Sequence, residues 1–351
     1  LTPHIPTKFC TLDSFTFVRE LRDLDMNGKF MISYDVESLF TNIPLKESID
    51  LAVQYILNGN SDIKLTAEEL STLFHFATAQ THFLFNDNYY DQVDGVAMGS
   101  PLAPVLANLF LGHHENIWLE NYNSSLAPLY YRRYVDDTFC LFNSEEEADQ
   151  FFHFINSRHP NIKFTFEKEL DHKISFLDVL VDNSSATPVT SVFRKKSYTG
   201  LLTNFFSFVP FRYKIGLIRT LIDRAYKINN TWFGFNLDIQ KIFDNLKKNH
   251  FPSHIIERSL NRYLNIKLGK SESVSANNGQ DNSNTFYYKL PFIGPFSSLA
   301  QKRILALAKR YCKSINVQLV FTSFKIGRFF STKDSVPRGS RSRVVYKFVC
   351  A

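Results

Sequence analysis

The first half of the chain alternates short apolar runs with longer segments of helical periodicity. β-Prone residues are concentrated in three runs, over residues 29–34, 129–133 and 138–142. Apolar positions at helical spacing predict helices over residues 45–57, 67–83 and 102–122, and a further capped helix beginning at Ser144. A hairpin is predicted over residues 164–166 and 176–181. This order predicts an α+β domain in which helices pack on one face of a mainly antiparallel sheet.

From Phe211 onward the apolar positions follow a helical period. They form three stripes: Ile215, Ile218, Leu221, Ile222 and Ala225; Ile239, Ile242, Phe243 and Leu246; and Ile255, Ile256, Leu260 and Tyr263. The stripes predict a three-helix bundle whose second and third helices are joined by a turn at residues 249–253. Three short helices with such a turn also resemble helix-turn-helix modules, which leaves sequence-specific reading of DNA open as an alternative.

The last part of the chain begins with a polar segment of low complexity. Residues 271–285 are rich in Ser, Asn, Gly and Asp, which predicts a linker. Beyond it, the pattern predicts a helix over residues 298–312, a strand over residues 314–324, a basic tail and a last strand over residues 344–349. These elements predict a small α/β connector.

Two adjacent carboxylates, Asp136 and Asp137, lie at the expected turn between two strand-like runs. Neighbouring negative charges are unfavourable there unless a cation neutralises them, and Mg²⁺ prefers hard oxygen ligands such as carboxylates. Taken alone, the pair also fits an ordinary Asp-Asp hairpin turn. A third carboxylate, Asp35, ends another strand-like run, and sheet pairing can place it beside the first two. Three carboxylates are the minimum for holding two Mg²⁺ ions about 3.5–4 Å apart, as polymerases and nucleases do.

A glycine-rich segment lies between these carboxylates, at residues 95–104, and its glycines allow the backbone to approach a ligand closely. In order, the strand end at Asp35, this segment and the Asp136-Asp137 turn resemble motifs A, B and C of reverse transcriptases. The residues within these motifs narrow the resemblance to one group of reverse transcriptases. Four segments, at residues 35–44, 95–101, 134–139 and 175–179, look like those of Penelope-like element reverse transcriptases, and the resemblance extends over nearly the whole chain.

The resemblance implies a reverse-transcriptase palm, followed by an α-helical thumb and the small α/β connector. Asp35, Asp136 and Asp137 would be the ligands of two Mg²⁺ ions, with Mn²⁺ as the alternative metal. The carbonyl oxygen of Val36 would be available to one ion. Phe40 would lie beneath the incoming sugar, where its ring would clash with a 2′-hydroxyl and favour deoxynucleotides.

Further roles follow from the same resemblance. Gly99 and Ser100 would lie against the template–nucleotide pair. Lys168 is a candidate proton donor to pyrophosphate, with a solvated strand residue as the competing interpretation. The turn at Phe176, Leu177 and Asp178 would grip the primer end, although structural hydrogen bonding is the favoured interpretation of Asp178 itself. The other residues expected to contact nucleic acid are Tyr134, Arg194, Lys195, Lys196, Arg212 and Lys214.

The net charge of +6 is distributed unevenly along the chain. Residues 1–193 contain 12 Lys and Arg against 27 Asp and Glu, whereas residues 194–270 contain 15 against 4. Basic side chains neutralise backbone phosphates, and the counterions released drive binding that does not depend on sequence. An acidic part with metal-binding carboxylates followed by a basic part suits a polymerase that acts on a polyanion, with a generic basic surface as the alternative.

These patterns divide the chain into a palm over residues 1–193, a basic helical thumb over residues 194–270, the linker over residues 271–285 and a connector over residues 286–351. The predicted function is RNA-directed DNA synthesis by a retroelement enzyme that uses an RNA template, a DNA primer or target, and dNTPs. The alternative from a different class is a catalytically inactive, retroelement-derived protein that binds nucleic acid. An RNA-templated RNA polymerase is a third interpretation, which Phe40 disfavours.

Only about thirty residues precede Asp35, so the fingers region expected there is predicted to be missing, as is the GIY-YIG endonuclease that commonly follows in the family. We therefore expect a fragment whose palm is whole but which lacks the parts needed to polymerise on its own. Four scattered cysteines (Cys10, Cys140, Cys312 and Cys350) without paired spacing or a signal peptide predict an intracellular protein, without distinguishing nucleus from cytoplasm. The longest apolar stretch, near residues 101–111, is too short to span a bilayer.

Overall fold

The computed structural model describes residue 3 and residues 5–59, 63–78, 81–122, 126–185, 187–269, 285–311 and 315–323. The predicted linker (except Thr285), the basic tail and the last predicted strand lie outside these residues. Packing divides the chain into two compact units. Unit 1 comprises Leu1–Thr199 and Arg224–Lys241, and unit 2 comprises Gly200–Asp223 and Ile242–Ala351. Residues 224–241, which the sequence assigned to the thumb, thus belong to the same unit as the predicted palm.

Unit 1 is built from alternating helices and short strands. They are α1 (Ser14–Leu21), β1 (Phe30–Val36), α2 (Leu39–Asn42), α3 (Leu45–Gly59), α4 (Ala67–Thr78), β2 (His82–Phe85), β3 (Asn88–Asp91), α5 (Ala103–Glu120), β4 (Tyr130–Tyr134), β5 (Asp137–Phe142), α6 (Glu145–Asn156), β6 (Phe164–Lys168), β7 (Lys173–Phe176), β8 (Val179–Asp182) and β9 (Val189–Val192). The main sheet has the order β4-β5-β1-β6, and every pairing in it is antiparallel. The predicted α+β class with an antiparallel sheet is confirmed.

Alternation along the central strand β1 directs its side chains into two different cores, because successive residues point to opposite faces of a sheet. Ile32, Tyr34 and Val36 pack into a core with α3, α5 and α6, which cover one face as predicted. Met31 packs into a second core with residues of α1 and of the small sheet β7-β8-β9. By the same alternation, Asp35 lies on the face of Met31, opposite the helical layer.

Two local predictions were wrong. The helix expected over residues 67–83 ends at Thr78, and residues 82–91 form the hairpin β2–β3. Its turn residues Asn86 and Asp87 both have positive φ values, of 48° and 60°, which Asn and Asp tolerate and which suit a tight hairpin. The later hairpin was predicted between residues 164–166 and 176–181. In the structure the hairpin joins β7 to β8 instead, and β6 pairs with β1 in the main sheet.

Unit 2 combines helices with a two-stranded sheet. Helices α7 (Phe211–Ile228) and α8 (Trp232–Lys248) contribute their residues 211–223 and 242–248, and α9 (Ser253–Lys267), β10 (Thr285–Pro291), α10 (Phe296–Tyr311) and β11 (Asn316–Thr322) follow. β10 and β11 pair in parallel. The turn before α9 is fixed by Asn249, whose side chain accepts a hydrogen bond from the N–H of Leu202 at 3.0 Å and donates one to the carbonyl of Gly200 at 2.9 Å. Among the described residues, no helix has the length and apolar character needed to cross a membrane.

Candidate active site

The strand pairing of the main sheet brings Asp35, Asp136 and Asp137 together. Asp35 of β1 lies directly opposite Asp137 of β5. Side chains opposite each other in an antiparallel pair share a face, with Cβ atoms about 4.5–5.5 Å apart. Asp136 lies in the turn between β4 and β5, and its carbonyl accepts a hydrogen bond from the N–H of Val36 at 3.0 Å. The end of β1 and the β4–β5 turn are therefore tied to each other at the carboxylates.

The electrostatics of this group are unfavourable for three negative charges. Burial, and then the nearby charges of Asp136 and Glu37, raise the pKa of Asp35. Burial raises the pKa of Asp137 to about 6, and the charges of Asp35 and Asp136 add to the shift. The hydroxyl of Ser33 opposes it by donating a hydrogen bond to Oδ1 of Asp137 at 3.0 Å. The charged neighbours that shift these two pKa values are carboxylates, so a cation would relieve the repulsion.

The donor set of the aspartate group suits a hard divalent cation, since each side chain offers carboxylate oxygens. Another cluster has ligand-like spacing: Glu47, His114 and His159 offer ligand atoms within 4.8 Å of one another, the only such group among the described residues. Hydrogen bonds already satisfy it. Nδ1 of His159 accepts from the N–H of Asn161 at 3.2 Å, which leaves the ring proton on Nε2, 3.4 Å from Glu47. The aspartate group does not meet the same criterion, so in the described part of the chain at least one pair of its carboxylates is more than 4.8 Å apart.

The glycine-rich segment begins against the turn that follows β1. Gly95 has a φ of 77°, and a Cβ atom there would lie 2.7 Å from the carbonyl oxygen of Thr41 and 2.8 Å from that of Phe40. The N–H of Val96 donates to the Phe40 carbonyl at 2.7 Å. Only glycine permits this approach, so the structure places Phe40 beside the start of the segment. The roles of Phe40 and Val36 toward a nucleotide and a metal stay predictions.

The end of the same segment leads into α5. Gly99 has a φ of 96° with open space around its Cα, which leaves its backbone accessible. The hydroxyl of Ser100 accepts a hydrogen bond from the N–H of Leu102 at 3.3 Å, at the start of α5. Contact between these two residues and a template–nucleotide pair remains a prediction.

Lys168 is not brought to the carboxylates. It lies opposite Ile32, which points into the helical core, so its side chain is on the other face of the sheet from Asp35. There its Nζ is 2.8 Å from Glu145 and 2.8 Å from Asp149, both of α6. The geometry therefore contradicts the predicted proton donation to pyrophosphate. The ion pairs with Glu145 and Asp149 account for a lysine at this position.

Several residues expected to contact primer or nucleic acid have structural partners instead. The ring of Phe176 is 1% exposed and packs between α1 and β5, so it cannot touch a primer end. Asp178 forms an ion pair with Arg224, in line with its structural interpretation. Arg194 forms an ion pair with the buried Asp238. Only Leu177 of this group reaches the site. Leu177 has a φ of 57°, and its backbone N–H donates a hydrogen bond to Asp137 that lowers the pKa of that carboxyl.

The remaining predicted contacts lie on the surface of their units. Tyr134 is 41% exposed at the end of β4, and Lys195 and Lys196 are exposed after β9. In unit 2, Arg212 donates a hydrogen bond to the carbonyl of Phe321 at 2.6 Å, and Nζ of Lys214 lies 5.1 Å from the ring centre of Phe205. These positions are compatible with nucleic acid, and their binding role stays a prediction.

The sequence interpretation missed Arg133, which directly precedes Tyr134. Arg133 is fully buried and its Nε lies 2.6 Å from the carboxylate of Glu115, which is 2% exposed. Burial disfavours the charged form of Arg133, but Glu115 outweighs it and the pKa of Arg133 is raised. The signal was present in the alternation of β4, since Arg133 is two residues from the inward-facing Tyr131 and shares its face.

Unit 2 carries a basic groove of about 610 Å³ between α7 and α9. Its apolar walls include Phe211, Ile215 and Ile255. Its basic lining consists of Arg219, Arg258, Arg262 and Lys267, with Lys267 near the C-terminal end of α9. This combination of apolar walls and clustered positive charge suits an anionic ligand.

Several solved structures are similar to this chain at low sequence identity. The telomerase of Candida albicans, solved with a fragment of telomeric RNA, is 11% identical with a TM-score of 0.54, over 76% of this chain and 48% of that one. The apo telomerase of Candida tropicalis is 9% identical with a TM-score of 0.43, over 76% and 47%. The RNA-dependent RNA polymerase of a sicinivirus is 13% identical with a TM-score of 0.41, over 72% and 54%. The chain spans about half the length of these structures.

Sequence comparison gives the family directly. No curated protein matches the chain. Residues 201–261 match the animal helix-turn-helix domain, which confirms the resemblance noted from the turn at residues 249–253. Residues 2–178, half of the chain, match the model of reverse transcriptase (RNA-dependent DNA polymerase), and the chain belongs to that family.

Proposed function

We propose that this chain is the polymerase part of a Penelope-like retroelement reverse transcriptase. It would extend a primer 3′-hydroxyl with dNTPs on an RNA template, in a reaction that requires Mg²⁺. The observation that carries the proposal is the meeting of Asp35 with Asp136 and Asp137 across β1 and β5, where the charged neighbours that shift the pKa of Asp35 and Asp137 are themselves carboxylates. The four ordered motifs support the Penelope-like subtype.

Asp35, Asp136 and Asp137 would hold the metal ions. When bound, Mg²⁺ supplies a Lewis acid for in-line phosphoryl transfer, in which positioning and electrostatic stabilisation carry most of the catalysis. The chain's own residues contribute the positioning. Ser33 fixes the carboxylate of Asp137 through its hydroxyl, and the backbone N–H of Val36 fixes the turn at Asp136.

The nucleotide would bind between motif A and the glycine-rich segment. The backbone carbonyl of Phe40 lies against the start of that segment, and the ring of Phe40 would exclude a 2′-hydroxyl. Gly99 leaves the backbone open for the template–nucleotide pair. These placements support selection of deoxynucleotides by a steric contact.

The basic groove of unit 2 would contact the phosphate backbone of the duplex. Arg258 and Arg262 are four residues apart and therefore share one face of α9. Positive charge on a helix of a helix-turn-helix match fits nucleic acid, and backbone contact requires only charge in reach of phosphates. Sequence-specific reading of DNA by α9 is the alternative.

The decisive experiment is primer extension on an RNA template with dNTPs and Mg²⁺. With a fingers region supplied ahead of its palm, the chain is expected to extend the primer, and each variant is tested in that same context. Asp136→Asn is expected to abolish extension without changing the melting temperature by more than a few degrees. Asp50→Asn, on the exposed surface of α3, is the matched control and should behave as wild type. A chain that binds the primer–template duplex but does not extend it would contradict the proposal and favour the nucleic-acid-binding alternative.

A further inference from the structure

The ion pair between Arg133 and Glu115 is buried directly beneath the turn that carries the aspartates. Arg133 is 0% exposed and Glu115 2%. Removing two charges from water is costly, and the attraction between them compensates only when further hydrogen bonds satisfy the remaining donors. Arg133 meets this condition, because its Nε and both terminal nitrogens all have partners. On the acid side, Oε1 of Glu115 is bonded, whereas its buried Oε2 has no hydrogen-bond partner among the described residues.

These partners come from three separate parts of unit 1. Nη1 donates to the side-chain oxygen of Asn108 at 2.9 Å, and Asn108 and Glu115 both lie on α5. Nη2 donates to Sγ of Cys10 at 3.4 Å, in the segment that precedes α1. Nη1 also donates to the carbonyl oxygen of Val135 at 2.8 Å. A single guanidinium thus connects α5, the N-terminal segment and the aspartate turn.

Val135 is an unusual residue at which to find such a contact. Its φ is 59°, in the left-handed region that a β-branched residue adopts only at an energetic cost. The next residue, Asp136, accepts the hydrogen bond from Val36 that joins the turn to β1. The conformation of Val135 therefore determines where Asp136 lies relative to Asp35.

We propose that Arg133, held in place by Glu115, is a positioning residue that fixes the aspartate turn against β1 and couples it to α5. It does not touch substrate or metal. α5 begins where the glycine-rich segment ends, so the same contact ties the carboxylates to the elements predicted to bind the nucleotide. The consequence for metal binding rests on the proposed function, but the effect on the turn does not.

The geometry requires a guanidinium. Arg presents its donors in a rigid planar fork, so it can contact Glu115 and the Val135 carbonyl from different nitrogens. Lys has one nitrogen on a flexible stem. Arg133→Lys therefore keeps the buried charge for Glu115 and loses the fixed contact with the turn.

The test compares Arg133→Lys with Arg132→Lys in the 351-residue chain. Arg132 is the adjacent residue of β4 and forms a partly exposed ion pair with Glu20, which makes it a matched control. Hydrogen exchange of the Val36 amide, measured by NMR without metal, reports the turn directly. Arg133→Lys should speed this exchange at least 10-fold relative to other β1 amides, and Arg132→Lys should change it less than 2-fold. Unchanged exchange in Arg133→Lys would overturn the proposal.

A second readout is the affinity for Mn²⁺, measured by electron paramagnetic resonance without nucleic acid. Arg133→Lys should weaken it at least 10-fold. Loss of Mn²⁺ binding in Asp136→Asn checks the metal site separately, so a wild-type chain that binds no Mn²⁺ would count against the proposed function, while the Val36 amide still decides the role of Arg133.

A double variant covers the case in which Arg133→Lys does not fold. In Arg133→Met with Glu115→Met, both charges are removed together, and such replacements are often as stable as the buried pair. This double variant should fold, yet show the same rapid exchange of the Val36 amide. Wild-type protection in a folded double variant would show that the pair is only structural.

Discussion

The aspartate turn of unit 1 and the basic groove of unit 2 both gather charges of one sign, but they do so in opposite settings. At the turn, Asp35 and Asp137 are held by strand register, and the buried Arg133 fixes the backbone beside them. In the groove, Arg258 and Arg262 project from one exposed helix. Metal ligation needs oxygen atoms placed to within a fraction of an ångström, whereas phosphate binding needs only charge in reach. The turn should therefore be sensitive to single substitutions, and the groove should respond gradually.

The largest effect expected from this contrast is at Asp35. Asp35→Asn should reduce primer extension by about 10³-fold or more, since a metal ion contributes several kcal/mol of charge stabilisation to the transition state. Single-turnover extension measures the loss. Glu37→Gln is the control, because Glu37 is exposed two residues away. Equal losses in both variants would mean that general negative charge matters there rather than ligand geometry.

A smaller effect is expected at Phe40, which tests steric positioning without charge. Phe40→Ala should raise incorporation of ribonucleotides relative to deoxynucleotides by roughly 10- to 100-fold, because the space for a 2′-hydroxyl opens. The ratio of kcat/KM for rNTP and dNTP measures it. Discrimination that stays at the wild-type ratio would remove Phe40 as the selecting residue.

The groove should give graded effects on binding. Arg258→Gln with Arg262→Gln should weaken binding to a primer–template duplex several-fold and lower the slope of log K against log salt by about 2, because each phosphate contact releases roughly 0.9 counterion. A salt titration by fluorescence anisotropy measures this slope. Lys302→Gln, exposed on α10 and outside the groove, should leave the slope unchanged. A sequence-dependent loss of affinity would instead favour DNA reading by α9.

The smallest expected effect is on stability. The pKa of Asp137 is raised from 3.8 to about 6, so the charged form of this side chain destabilises the folded state. The protonated form stabilises the folded state fully below about pH 4, and this stabilisation is lost as the pH rises through about 6. Asp137→Asn does not titrate. It should therefore raise the melting temperature of the metal-free chain by roughly 2–5 °C at pH 7 and leave it nearly unchanged at pH 4. Scanning calorimetry at the two pH values checks this, and a lower melting temperature at pH 7 would contradict it.

Local patterns predicted much of unit 1. Ser144 caps α6 by accepting a hydrogen bond from the N–H of Glu147, as its position before three glutamates indicated. The strand–turn–strand around Asp136 is present, because apolar runs and a tight turn are specified by neighbouring residues. The hairpin β2–β3 was missed since its strands are exposed on both sides and lack the expected alternation. The pair Asn86-Asp87 was the signal that could have revealed it.

Contacts between distant residues were less predictable. Lys168 is two positions from Phe166 on β6, and only the register with β1 decides which face it occupies, since a shift of one residue reverses every side chain. Arg194 was expected to meet nucleic acid, yet its partner Asp238 lies on a helix 44 residues further along the chain. A sequence shows that a residue is basic, but not whether a buried carboxylate will neutralise it.

By itself, the sequence determined the family, many of the helices and strands of unit 1 and the candidate set of three aspartates, because each depends on short motifs whose residues are close together in the chain. The tertiary structure alone decided that Asp35 lies opposite Asp137, that Lys168 faces away from both, and that Arg133 is buried against Glu115. These relations depend on strand register and on the packing of a helix against a sheet. Both are set by the free energy of the whole fold, which short segments of sequence do not specify.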